Sequence, residues 1–85
     1  MILDKRPIST GQCRAARALL DWSREDLARE GKVSRAAIAD FETNKRQVRE
    51  RTTDDLREAL ETAGIDFIPQ NGGGPGVRHR EPQGS

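Results

Sequence analysis

Aromatic residues are scarce in this chain: 85 residues hold no tyrosine, two phenylalanines and a single tryptophan. A core with so few large rings has to come from aliphatic stripes on helices. Cysteine is as rare. The one copy, Cys13, excludes an intramolecular disulfide and suits a reducing compartment. Lying on an apolar stripe, it reads as a small hydrophobe rather than a redox or metal-binding thiol. Long apolar runs are missing, which excludes a membrane-spanning helix, and no signal-peptide pattern marks the N-terminus, so a cytoplasmic location is expected. The only histidine, His79, lies near the C-terminus, and no nucleophile–base set is visible. An enzyme is therefore not expected, and neither is a cofactor or a metal site. Apolar residues make up only 33% of the chain and charged residues 34%, which bounds it to one small domain near the lower size limit for an unstapled core.

What is present centres on residues 23–43, SREDLAREGKVSRAAIADFET. Ser23 followed three residues later by Asp26 is a capping-box pattern, and Leu27 and Ala28 give the helix behind it a small apolar face. Gly31 breaks that run, Val33 is the first apolar residue after the turn, and Ser34 offers a second N-cap. In the next helix Ile38 and Phe41 face inward, while Arg35, Ala36, Ala39 and Asp40 face out. Two helices this short cannot bury a core alone and must lean on flanking helices, as in a helix-turn-helix.

The flanks supply them. Residues 1–8 read as a loose N-terminal arm. Ser9 with Gln12 forms another capping box, Ile8 and Cys13 stand at the staple positions across it, and a first helix runs to about Asp21. Its inward residues are Cys13, Ala16 and Leu20, with Leu19 beside them, and Trp22 is a packing anchor in the turn that follows. Asn44 suits a left-handed helix end. Thr52 or Thr53 is expected to cap a fourth helix ending near Ala63, with Asp54 and Asp55 in its first turn, Leu56 and Leu60 inward and Gly64 as its stop. Then come two β-prone runs, Ile65 to Ile68 and Val77 to Arg80, joined by a Gly-rich connector that lacks any phosphate-loop pattern. They can form a hairpin, or each can pair with a partner chain. Residues 81–85 are expected to be disordered. The fold class is thus mainly α: four helices over residues 9–64 with a short β extension over 65–80.

Net charge argues weakly. Residues 9–68 carry 11 Lys/Arg against 12 Asp/Glu, and the whole chain is only +1. A nucleic-acid-binding domain is usually more basic. Position says more. Arg14, Arg24, Arg35, Lys45, Arg46, Arg49 and Arg51 cluster around the two short helices, whereas Asp54, Asp55, Glu58 and Glu61 lie on the fourth.

With ALLDWSREDLA, VSRAAIADFE, NKR, AGIDFIP and NGGGPGVR in hand, the run from Gln12 to Arg80 resembles the lambda-repressor-like (Cro/C1, XRE-type) family, and in particular its small stand-alone regulators of alphaproteobacterial type. That resemblance implies that the start of the third helix enters the major groove of double-stranded DNA. Ser34, Arg35, Ala36, Ala39 and Asp40 then correspond to the base-reading positions. Arg35 suits guanine O6 and N7, Ala36 a thymine methyl, and Asp40 a cytosine amino group or the support of Arg35 or Arg24. Phosphate contacts are implied for Arg24, Lys45 and Arg46, with Arg49 and Arg51 extending the footprint. Arg17 and Glu42 match a structural ion pair between the first and third helices. Two departures stand out. Lys32 occupies a position that prefers glycine, so either it is strained or the turn is reshaped around Gly31. Thr53 stands where a larger apolar residue is usual.

The expected function is a sequence-specific transcriptional regulator, a nucleoid-associated dimeric repressor or autoregulator on a palindromic operator. Ile65, Phe67, Ile68 and Val77 are the expected dimerisation residues. Any regulatory signal would act through dimerisation, expression level or a protein partner. The rival reading is a helix-turn-helix scaffold for protein–protein contact, such as an antitoxin-like or anti-activator module.

Overall fold

The computed structural model describes residues 7–69 and 72–81. Most of the expected arm, the Gln70–Asn71 part of the connector and the tail beyond Glu81 lie outside the described residues. Four helices are followed by two strands: α1 (Thr10–Leu20), α2 (Arg24–Gly31), α3 (Arg35–Glu42), α4 (Glu50–Thr62), β1 (Ile65–Ile68) and β2 (Gly76–His79). No helix among the described residues is long and apolar enough to cross a membrane.

Each of the first three helices starts on a serine. Ser9 and Ser23 form complete capping boxes with Gln12 and Asp26, and Ser34 Oγ accepts from Ala37 N at 3.1 Å. The ends use left-handed residues: Asp21 and Lys32, with φ near 57° and 56°, and Asn44 at 56°. Lys32 itself takes the strained conformation, while Gly31 remains the last helical residue of α2. Of the two alternatives the sequence left open, the strained Lys32 is therefore the one adopted. Gly64, with φ 106°, ends α4 as read.

Helix α4 begins earlier than expected. Its N-cap is Arg49, without a side-chain cap bond, and Glu50 is the acid in its first turn. Thr52 and Thr53 lie inside the helix. Thr53 is buried, so its side chain faces the core rather than the helix end, and Asp54 and Asp55 fall in the second turn.

The core joins Ile8, Cys13, Ala16, Leu27, Ile38, Leu56, Ala59, Leu60 and Ile65, with Leu20, Trp22, Val33 and Phe41 packed against it. Leu19 is instead an exposed hydrophobic residue. The stripe through Cys13, Ala16 and Leu20 leaves it about 100° round the helix from Leu20.

The strands pair with each other, antiparallel, with Phe67 opposite Val77 and Asp66 opposite Arg78. This hairpin is tied down at several points. Gln12 Nε2 donates to both Ile68 O and Gly76 O, at 3.2 and 3.0 Å. His79 Nε2 lies 3.1 Å from Leu19 O, and Arg80 reaches Asp66 and Glu61 O at 3.0 Å each. The Arg57 guanidinium sits 5.6 Å above the Phe67 ring. Ile65 is fully buried in the helical core and so has no surface to offer a partner chain; this corrects its expected place among the dimerisation residues. Phe67, Ile68 and Val77 remain partly exposed.

Candidate nucleic-acid interface

Helix α3 follows α2 after a turn of three residues, Lys32 to Ser34. Ile38 and Glu42 bury its inner side, and Phe41 packs beside them. Residues 36, 39 and 43 fall on the opposite stripe. Ala36 and Thr43 are exposed and Ala39 is half-buried. A side made of two alanines and a threonine is thin, so the backbone of α3 can approach a surface closely. Thr43 Oγ1 donates to Ala39 O at 2.7 Å, leaving its methyl group and lone pairs outward. Thr43 was missed in the sequence reading, although its i+7 spacing from Ala36 places it on the same stripe.

The charged residues frame that stripe. Ser34 is the N-cap of α3 and Arg35 its first residue, exposed, with Nε 2.9 Å from Glu25 Oε2 on α2. Asp40 does not stand free: its Oδ2 accepts from Arg46 Nε at 3.0 Å. Beyond α3, Lys45, Arg46 and Arg49 are all exposed, and Lys45 and Arg49 have no ionic partner among the described residues. Arg51 lines a groove between the end of α2 and α4, with Glu30, Lys32, Asp55 and Glu58. Its surroundings there are largely acidic, and nothing brings it to α3.

Under α3 lies a buried charge cluster. Glu42 is only 2% exposed. Arg17 grips it with two bonds, Nε to Oε2 at 2.8 Å and Nη2 to Oε1 at 2.7 Å, and also donates to Trp22 O at 3.1 Å. Arg24 Nε donates to Glu42 Oε1 at 3.0 Å, and Cys13 Sγ donates to Oε2 at 3.2 Å. One carboxylate thus ties α1, α2 and α3 together. Burial alone would raise its pKa, but the bonds from Arg17, Arg24 and Cys13 outweigh that and hold it below the ordinary carboxylate range. Burial, and then the bond to Glu42, push the Cys13 thiol well above its usual range, so it stays a protonated donor. Arg24, read from the sequence as a phosphate contact, has its Nε committed to this cluster; its outer NH2 groups have no other partner among the described residues.

A helix-turn-helix family model matches residues 14–65, from within α1 to the first residue of β1. No curated protein matches the chain.

Proposed function

The chain belongs to the helix-turn-helix family of the XRE, lambda-repressor-like type, and on that premise we propose that it regulates transcription by reading a palindromic operator as a homodimer. The helix-turn-helix unit over residues 9–64 binds DNA, and the extension over 65–80 is the dimerisation element. In this reading α3 lies in the major groove, with Ser34, Arg35, Ala36, Ala39 and Thr43 toward the bases. Lys45, Arg46, Arg49 and the outer NH2 groups of Arg24 meet phosphates. Such a dimer represses by occupying a promoter, its own included.

The observation that carries the proposal is the shape and framing of α3: a thin outward stripe with Arg35 at its start and three exposed cations just past its end. The first turn of a reading helix is where base edges are met, and the flanks are where the backbone passes. Dimerisation draws support from Phe67, Ile68 and Val77, which stay partly exposed on a hairpin that is two strands wide among the described residues.

Selection of binding sites from random duplex DNA tests the proposal. The expected product is a palindrome whose half-sites lie about one helical turn, roughly 10 bp, apart. Failure to enrich any sequence would overturn the reading. A protein–protein scaffold is the second reading, favoured by the near-neutral total charge of +1. It predicts DNA retention that is weak, unselective and lost at modest salt.

A further inference from the structure

Four arginines around α3 have Nε within 3.0 Å of a carboxylate, and every one of these pairs has a partner on α3 itself. Arg35 on α3 meets Glu25 at 2.9 Å, Asp40 on α3 meets Arg46 at 3.0 Å, and Glu42 on α3 meets Arg24 at 3.0 Å and Arg17 at 2.8 Å. The first two pairs lie at the surface, with the Arg35 and Arg46 side chains 59% and 76% exposed. We propose that Glu25 and Asp40 are positioning residues for DNA recognition, aiming Arg35 at a base and Arg46 at a phosphate. This deepens the DNA-binding reading and rests on it.

The geometry follows from the guanidinium. It is planar and carries five donors, one on Nε and two on each terminal nitrogen. Asp40, hydrogen-bonded at Arg46 Nε, fixes that plane, while Glu25 restrains Arg35 by charge at Nε; both leave the two terminal nitrogens open. For Arg35 and Arg46 those nitrogens have no other partner among the described residues. A fork of this kind matches guanine O6 and N7, or two phosphate oxygens. Fixing a long, rotamer-rich side chain before binding removes part of the ordering that association otherwise requires. The same arrangement accounts for acids beside a DNA-facing helix in a chain of charge +1: they act through the arginines they hold. Asp40 then supports Arg46 instead of reading cytosine.

Glu25 also sits in the first turn of α2, where an acid suits the helix dipole without any role in recognition. A third possibility is that both acids simply repel phosphate. The test separates these readings. The probe is the duplex recovered by selection with the wild-type protein, together with a copy substituted at the base whose preference Arg35→Ala abolishes. Binding is followed by fluorescence anisotropy at fixed salt, with a thermal melt of each variant.

Glu25→Ala is expected to reduce discrimination between the two duplexes about tenfold, a share of what one bidentate contact provides. Glu25→Gln, which keeps the shape but not the charge, is expected to lose a similar share, because the contact is an ion pair. Asp40→Ala is expected to weaken binding to both duplexes by a similar factor, with Asp40→Asn close to wild type. Unchanged discrimination in Glu25→Ala overturns the proposal, whether or not its melt shifts as a dipole role requires. Tighter binding of both duplexes by the alanine variants overturns it in favour of plain repulsion. Should selection with the wild type yield no preferred sequence, the DNA-reading function falls first and this inference with it.

Discussion

Beneath α3, Glu42 meets Arg17 and Arg24 out of water; at the outer ends of the same helix, Arg35 meets Glu25 and Arg46 meets Asp40 in it. The contact distances are alike, 2.7 to 3.0 Å. What differs is the surroundings. An exposed pair gains little, because water and salt screen it and two flexible side chains must be ordered to make it. A buried carboxylate has no water to fall back on, so losing a partner leaves a charge that nothing else solvates. The inner pairs therefore bear on folding. The outer pairs bear little on folding and, on the proposed reading, shape what α3 presents to DNA.

The largest expected effect tests the inner side. Arg17→Ala removes two of the four bonds to Glu42 while Arg24 and Cys13 remain. The expected loss is about 3 kcal/mol, the low end for breaking a buried pair. In a domain of this size that corresponds to a fall in melting temperature of more than about 10 °C. Arg24→Ala should be milder, because the Arg24 side chain is 30% exposed against 18% for Arg17. Glu25→Ala should change stability by no more than about 0.5 kcal/mol. If Arg17→Ala and Glu25→Ala melt alike, the contrast between the two sides of α3 is gone.

Acid provides a second test of the inner side. The folded-state pKa of Glu42 lies below its unfolded value, so its contribution is fully present above the ordinary carboxylate range. It is lost as pH falls through the folded-state pKa, when the protonated carboxyl no longer holds Arg17 and Arg24. Melting temperature should therefore fall more steeply below pH 5 in the wild type than in Glu42→Gln, which has no carboxylate to titrate at that position. Parallel curves would mean that Glu42 titrates alike in the folded and unfolded chains.

The outer side is tested by binding. Arg35→Ala should relax preference at one base per half-site, costing about 1–3 kcal/mol of discrimination there. Lys45→Ala should weaken binding to all sequences alike and lower the salt slope by about 1 per subunit. Equal behaviour of the two variants would place Arg35 among the phosphate contacts.

Local rules and the family resemblance made different parts legible. Ser9, Ser23 and Ser34 each cap the helix that follows, and Gly64 ends α4, because capping is chemistry within four residues. The Arg17–Glu42 pair spans 25 positions, and only the resemblance suggested it. Contacts that neither source contained were missed. Nothing in the chain order places Glu25 against Arg35 or Arg24 against Glu42, since both depend on how α2 crosses α3. The start of α4 was misread for a related reason. A threonine near a helix start reads as a cap, and only the packed structure shows that Thr53 faces the core. Ile65 was legible as a strand residue, but its full burial in the helical core was not.

The smallest effect concerns the turn that sets α3 against α2. Glycine stands one residue before the position that needs it. Gly31 ends α2 in a helical conformation, where glycine is less favourable than alanine, and Lys32 follows with φ 56°. A Cβ on Gly31 would lie 3.5 Å from Ala59 Cβ and 3.7 Å from Asp55 O, which is ordinary contact on α4. Gly31→Ala should therefore stabilise the fold by about 0.5 kcal/mol, mainly by restricting the unfolded chain. Lys32→Gly should relieve backbone strain of order 1 kcal/mol, part of it offset by the greater freedom of glycine when unfolded. Together the exchanges are expected to gain about 1 kcal/mol, or roughly 4–8 °C in melting temperature. Strict additivity is not expected of adjacent residues. Because the turn keeps its conformation, Glu25 still meets Arg35, and base preference should match the wild type while stability rises. A rise in melting temperature accompanied by lost discrimination would show that the strain at Lys32 helps to set the reading helix, and that folding and recognition are not divided between the two sides of α3.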